Sequence, residues 1–539
     1  MADGRRNKSF YRITKVCNLD ASKLRSSMLT IIRKLYRTRL LTPAGLFCLL
    51  EAVLATGINL MALLRIAARL HPHRTAVIDD REQLTYPQLW QQAESLAMVL
   101  QVEYGIERNK KVAIACRNHA SAIKAIFAVS RLGAHIFLIN PDLSTDQILL
   151  LLERLAIDFY IYDHQDDKPI PHWLESFLQQ RKALPAFHAT APSINQLSSI
   201  PQPKNQRLKT VKTGNIVVMT GGTTGQPKPA SRKPSIFNFL PPFIALLDQV
   251  HLDRYRSLYI ATPIYHGFGL AALLIGILLG AELYITRRFE PVQACALIAK
   301  YQIEVVALVP LMLQRMLKHD PVSLSCLQRI LSGGAALSPA LAQVTLEQLG
   351  QVMFNLYGTS EAGFCILGTP ALLSRKPASI GQPVWGVQAK ILNNANQEVS
   401  NGKIGRLCIR SAWSTHQKSW IETGDLAYQD RDGDIFLCGR VDDMIVSGGE
   451  NVYPIDLENI LIQHPDVDSA VVFGISDQEF GQRLKAVVIK KQNTMLTPSM
   501  LQDWLKPRVA RYQMPAVIEF RDHLPYTGLG KLDIKSLRE

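Results

Sequence analysis

Cysteine is sparse in this 539-residue chain, and the eight present carry no pattern. Cys17, Cys48, Cys116, Cys295, Cys326, Cys365, Cys408 and Cys438 form no C-x-x-C pair, and no close Cys/His cluster has metal-ligand spacing. The thiols read as buried groups in a reducing compartment, and metal binding by protein ligands alone is not expected. A Walker A loop is also missing. The nearest stretch is Thr220-Gly221-Gly222-Thr223-Thr224-Gly225-Gln226-Pro227-Lys228, where the lysine lies three residues past Gly225 and Pro229 follows it. That spacing disfavours a P-loop NTPase. Nor is there a long apolar run free of polar breaks. Ala44–Leu64 comes nearest, but Glu51 and Asn59 interrupt it, and a carboxylate at mid-span is costly. One amphipathic helix is expected there, packed on the body or lying in a bilayer interface, with a true span least favoured. A signal peptide is unsuited, because the apolar region begins more than 40 residues in.

Charge is scarce as well, at 19% against 47% apolar residues, and its excess is local. Of the formal +15, Met1–Leu40 carries +9, from eleven basic and two acidic side chains. The body is therefore close to neutral for its size, and nucleic-acid binding by it has little support.

What is present is an alternation of strands and helices. Arg74–Asp80, Gln83–Tyr86, Lys111–Cys116, Ala134–Asn140, Asn215–Met219, Ser257–Thr262, Glu282–Thr286 and Glu304–Val309 read as strands, with helices between several of them. Parallel α/β layers follow, with ligands expected at the carboxyl ends of the strands. The Pro-, Gln- and Ser-rich stretch Asp163–Asn205 reads as a surface connection.

Several loops carry candidate chemistry. The Gly/Thr loop from Thr220 suits a phosphate cradle, since glycines admit backbone N–H groups to an anion and Lys228 adds a point charge. His266 sits among aromatics and glycines, where a structural role is the commoner one. Gly333, Gly334 and Ala335 would let a flat ring lie on backbone. Tyr357, Thr359 and Glu361 supply an aromatic face, a hydroxyl and a Mg²⁺-binding carboxylate. Asp425 follows a tight turn, where it can accept from ribose hydroxyls. Arg440 opens the hinge-like stretch to Gly448-Gly449, and Lys531 lies on a glycine-rich loop near the end.

In order and spacing, these motifs resemble the adenylate-forming superfamily from about His71 to Glu539. Within it, the stretch from Asp442 through Glu479-Phe480-Gly481-Gln482-Arg483-Leu484 to Lys531 is most similar to bacterial fatty-acid–CoA ligases. The resemblance implies an α/β fold: a large N-terminal domain (71–440) of layered sheets with a β-barrel-like subdomain, and a small mobile α+β C-terminal domain (441–539). Residues 1–70 would be a basic arm and helical extension. It implies ATP, Mg²⁺ and coenzyme A, with a fatty acid as substrate. Thr220, Gly221, Gly222, Thr223, Thr224, Gly225 and Lys228 would hold the β- and γ-phosphates, with Thr223 and Glu361 at the metal. Thr359 would touch the α-phosphate. Gly334, Ala335 and Tyr357 would hold adenine, Asp425 ribose, and Arg440 ribose or phosphate. Lys531 would bridge the substrate carboxylate and α-phosphate, and His266 would sit at the acyl-pocket mouth. Asp442 would be the hinge that exchanges Lys531 for the Gly448-Gly449 region and its pantetheine path.

Two positions depart from that family's pattern. Gly221 replaces a usual Ser or Thr, and Pro229 a usual Gly, so weaker or slower use of ATP is expected. A carrier-protein acceptor, a non-fatty acid, or a degenerate acyl- or nucleotide-binding protein stay open as alternatives. Localisation is expected to be cytoplasmic, with residues 1–70 able to reach the inner face of the membrane.

Overall fold

The computed structural model describes residues 32–163, 171–188, 190–201, 208–220, 228–232, 236–414, 419–447, 450–477, 480–527 and 532–538. Three sheets organise them. In the first, Ala183–Pro185, Phe159–Tyr162, Lys111–Ala115, His135–Leu138 and Ile216–Thr220 run parallel, and Lys228–Arg232 closes the edge antiparallel. Pro229 falls on that edge strand, where a missing N–H costs no ladder bond to a further neighbour.

The second sheet has a parallel core, Thr75–Ile78, Glu282–Ile285, Ser257–Ile260, Val305–Leu308, Arg329–Gly333 and Met353–Thr359 in spatial order. It continues through Gly363–Gly368 and Ser379–Pro383 into an antiparallel arm of Ile435–Arg440, Ile421–Gln429, Gly405–Ser411 and Val387–Leu392. The third, smaller sheet holds Ile445–Ser447, Glu450–Val452, Val467–Asp477, Gly481–Lys490 and Val517–Arg521. This is the expected α/β architecture, a large N-terminal sheet domain with a small C-terminal one.

The helix Tyr86–Tyr104 buries Leu89, Ala93, Leu96, Ala97 and Leu100 completely, as its periodicity predicts. The stretch Asp163–Asn205 departs from expectation. It contains the helices His172–Gln179 and Ile194–Ser198, and Ala183–Pro185 is a buried strand. Polar composition hid it, because among its described residues only Ala183–Pro185 enters the sheet.

The N-terminal apolar stretch is corrected too. It is two helices, α1 (Pro43–Thr56) and α2 (Leu60–Leu70), and no helix among the described residues is long and apolar enough to cross a membrane. The break is local chemistry. Gly57 adopts φ +89°, and a Cβ there would come within 2.1 Å of the Val211 carbonyl oxygen. Asn59 then caps α2, accepting from the Ala62 N–H and donating to the Thr56 and Val211 carbonyls. Glu51 joins the helices by accepting from Arg65 Nε at 2.9 Å. So Glu51 lies within α1 and Asn59 caps α2, and the two do not belong to one amphipathic helix. α2 buries Leu60, Met61, Leu64 and Ile66, each stabilising by about 1.5–3 kcal/mol, while much of α1 faces outward.

Candidate active site

The parallel strands of the second sheet deliver their carboxyl ends to one place. Ser257–Ile260 runs on to His266, Arg329–Gly333 to Gly334 and Ala335, and Met353–Thr359 to Glu361, and the register sets Gly333 beside Leu356. Here a cavity of about 2380 Å³ opens, lined by His266, Gly334, Ala335, Tyr357, Thr359, Glu361, Asp425, Arg440 and Asp442. Nine separated candidates thus come together.

Its polar end is held by a three-residue relay. The Tyr357 hydroxyl donates to Asp425 Oδ2 at 2.5 Å, and Arg440 Nη1 donates to Asp425 Oδ1 at 3.0 Å. Asp425 and Arg440 are direct partners on adjacent antiparallel strands. Burial pushes the Tyr357 phenol well above its usual range, and the Asp425 carboxylate adds to that. For Arg440, burial opposes the charge, but Asp425, with Asp442 and Asp443, outweighs it and raises the guanidinium further. Gly424 makes the pair feasible. Its φ is +78°, and a Cβ there would lie 2.7 Å from Arg440 Nη2. Asp442 stands 3.9 Å from the same nitrogen.

Thr359 Oγ1 accepts the Ala362 N–H at 3.0 Å, and Glu361 is exposed, the kind of carboxylate a hard cation takes. The paired ends Thr220 and Lys228 make the loop between them leave from one rung of the first sheet, close to cavity-lining Val218 and Met219. Gly221, Gly222, Thr223, Thr224, Gly225, Gly448, Gly449 and Lys531 lie outside the described residues. The open Gly334–Ala335 backbone, the Tyr357 ring, the Asp425 acceptor and the Glu361 carboxylate fit a nucleotide with its magnesium ion.

A family model for AMP-binding enzyme matches residues 64–416, and one for the AMP-binding enzyme C-terminal domain matches 456–531. The chain belongs to the AMP-binding enzyme family. Among its AMP-binding relatives, a feruloyl-CoA synthase of Amycolatopsis sp is 27% identical, over 86% of this chain and 95% of that protein. A fatty acid–[acyl-carrier-protein] ligase of Streptomyces coeruleorubidus is 26% identical, over 88% and 94%. In structure, the o-succinylbenzoate coenzyme A synthetase of Bacillus subtilis, solved with ATP and a magnesium ion, superposes with a TM-score of 0.76. It is 24% identical and covers 88% of this chain and 99% of its own. The acids named for these proteins are aromatic in some and fatty in another, so family membership does not by itself select an acid.

Three features escaped sequence reading. The apolar helix Gly267–Leu279 lines the cavity along one side, but an all-apolar helix carries no mark separating pocket wall from core. A second cleft, of about 270 Å³ beside Pro263 and Tyr265, is lined by Arg117, Arg287, Arg288 and Arg315, which only folding assembles. Cys116, His119 and Asp163 also meet, within 4.8 Å. Their donors are already engaged: His119 Nδ1 accepts the Ala122 N–H, and its Nε2 lies 2.7 Å from Asp163. Burial would raise the Asp163 carboxyl, but the His119 bond and charge hold it down at about 2. That trio is a structural lock. So is Asp430, Asp432 and Asp434, whose carboxylates surround Lys376 Nζ at 2.5–2.7 Å.

Proposed function

We propose that the protein is an acid–thiol ligase that converts a fatty acid, with Mg-ATP and coenzyme A, into acyl-CoA, AMP and pyrophosphate. The observation that carries this reading is one cavity with a Tyr357–Asp425–Arg440 relay at its polar end and an apolar sleeve leading away from it. In this reading Asp425 accepts from the ribose and is oriented by its hydrogen bond from Arg440. Tyr357, Gly334 and Ala335 take the adenine, and Thr359 the α-phosphate. The loop from Thr220 to Lys228, with Gly221, Gly222, Thr223, Thr224 and Gly225, takes the outer phosphates. Glu361 and Thr223 would hold Mg²⁺, whose charge offsets repulsion between phosphate and carboxylate. Lys531 brings the two anions together and stabilises charge developing on the α-phosphate.

Coenzyme A is the proposed acceptor; the cleft beside Pro263 and Tyr265, where Arg315 joins Arg117, Arg287 and Arg288, the last three paired with Asp142 or Asp163, offers cations to a phosphate-bearing thiol. Asp442 is the proposed hinge, with Gly448 and Gly449 guiding the thiol arm. The domain limits 71–440 and 441–539 belong to the same proposal. The outer face of α1 adds a second partner, an anionic lipid surface. Leu46, Phe47, Leu50 and Leu54 are exposed there, Phe47 and Leu54 at 70% and 69%; Arg33 and Arg37 upstream are exposed too, and the first 40 residues of the sequence carry a formal +9. Flotation with phosphatidylglycerol vesicles at low salt tests this surface. Absence of binding overturns it.

The decisive assay is thioester formation with Mg-ATP and fatty acids of increasing length, with Lys531→Ala in parallel. Wild type should form thioester, and the variant should lose on the order of a hundredfold or more. Pyrophosphate exchange without thioester would move the acceptor to a carrier protein. Silence in both assays would leave a binding protein.

A further inference from the structure

The family match begins at residue 64, yet the cavity does not end there. The helix Gly267–Leu279 starts beside His266 and runs about 18 Å, with Phe268, Leu274, Ile275 and Leu278 facing the cavity. Its far end packs on α2. A Cβ on Gly280 would meet the His71 ring at 2.1 Å, and Arg74 donates to the Gly280 carbonyl at 3.2 Å. The cavity lining also takes in the N-terminal extension: Leu35, Leu40 and Leu49, with Leu60, Leu63 and Ile66 of α2. Most of these precede the family match.

We infer that residues 35–63 close the apolar end of the cavity and set the length of acid it accepts, so that a long, unbranched, apolar chain is the preferred substrate class. The inference rests on the ligase reading given above. None of the six lining side chains can hydrogen-bond. The polar residues near them offer a substrate little, because Asn59 is committed to Thr56, Val211 and Ala62, and the Thr213 hydroxyl donates to the Gly214 carbonyl. A ring bearing hydroxyl or carboxyl groups would lose its water there without replacement, whereas a methylene chain gains by every carbon buried.

Leu49 and Leu63 are half-buried, so their side chains can be changed with limited damage to packing. The test is the ratio of kcat/KM for hexadecanoate to that for hexanoate, in wild type, Leu49→Trp and Leu63→Trp. Blocking the end should lower that ratio roughly tenfold or more, and Leu63→Ala should not lower it. Displacement of cis-parinaric acid by the same two acids, without ATP, reads the cavity independently of chemistry. Tight parinarate binding in wild type, weakened in both tryptophan variants that still melt cooperatively, supports the inference. Unchanged ratios and unchanged displacement overturn it, as does wild type that favours the short acid. Binding that follows this pattern in a protein forming no thioester would keep the wall and discard the ligase.

Discussion

The two ends of the cavity are built on opposite principles. At the polar end a few side chains with fixed partners decide everything: Tyr357, Asp425 and Arg440 are locked by two hydrogen bonds and one strand register. At the apolar end, Leu35, Leu49, Leu63, Leu274 and others contribute shape alone. Loss of one member should therefore be severe at the first end and graded at the second. A hydrogen bond is lost whole when its acceptor is removed, whereas apolar contacts scale with area.

The sharpest challenge to that contrast is Asp425→Ala. It leaves Arg440 and Tyr357 without their shared acceptor, about 1.5–3 kcal/mol, so the KM for ATP should rise roughly tenfold to a hundredfold. A rise of less than threefold in steady-state ATP titrations would erase the distinction between the ends. Gly424→Ala attacks the same pair through backbone. With φ at +78° and a Cβ 2.7 Å from Arg440, it should raise the KM for ATP about tenfold and lower the melting temperature as well. A variant that melts as wild type and binds ATP normally would show that Arg440 needs no such clearance.

Gly221→Ser restores a hydroxyl to the phosphate loop and should tighten ATP by up to about fivefold, near 1 kcal/mol. Isothermal titration with ATP and magnesium would measure it, and unchanged affinity would remove any cost from this departure. The smallest effect concerns Glu458, which lines the cavity on the C-terminal side and accepts the Val472 N–H at 2.8 Å. Burial raises its pKa to about 7. The folded state thus holds a proton that the unfolded chain releases near pH 4.3, so stability falls as pH rises from there through about 7. Glu458→Gln should flatten that part of a melting-temperature profile, and a profile parallel to wild type would contradict the shift.

How much of this was legible beforehand follows the same division. Gly334, Tyr357, Glu361, Asp425 and Arg440 each stand in a short motif whose residue types have few other uses together, and all five line the cavity. The parallel strands were legible because buried β-branched runs look alike in any α/β protein. The strand Ala183–Pro185 was not, since three residues amid polar sequence carry no period. The helix break at Gly57–Asn59 is masked by the apolar content around it, although Gly followed by Asn two residues later is a stop-and-start signal.

By itself, then, the sequence determined the alternating α/β layers, the family, and the polar groups of the site, because these depend on local period and on chemically distinctive side chains. Tertiary structure alone decided where the apolar cavity runs, that residues before the family match wall its end, and which arginines share a cleft. Leucines in a wall and leucines in a core are the same letters. Only the packing of α2 against the helix Gly267–Leu279 separates them, because a cavity is the space that side chains distant in the chain leave unfilled.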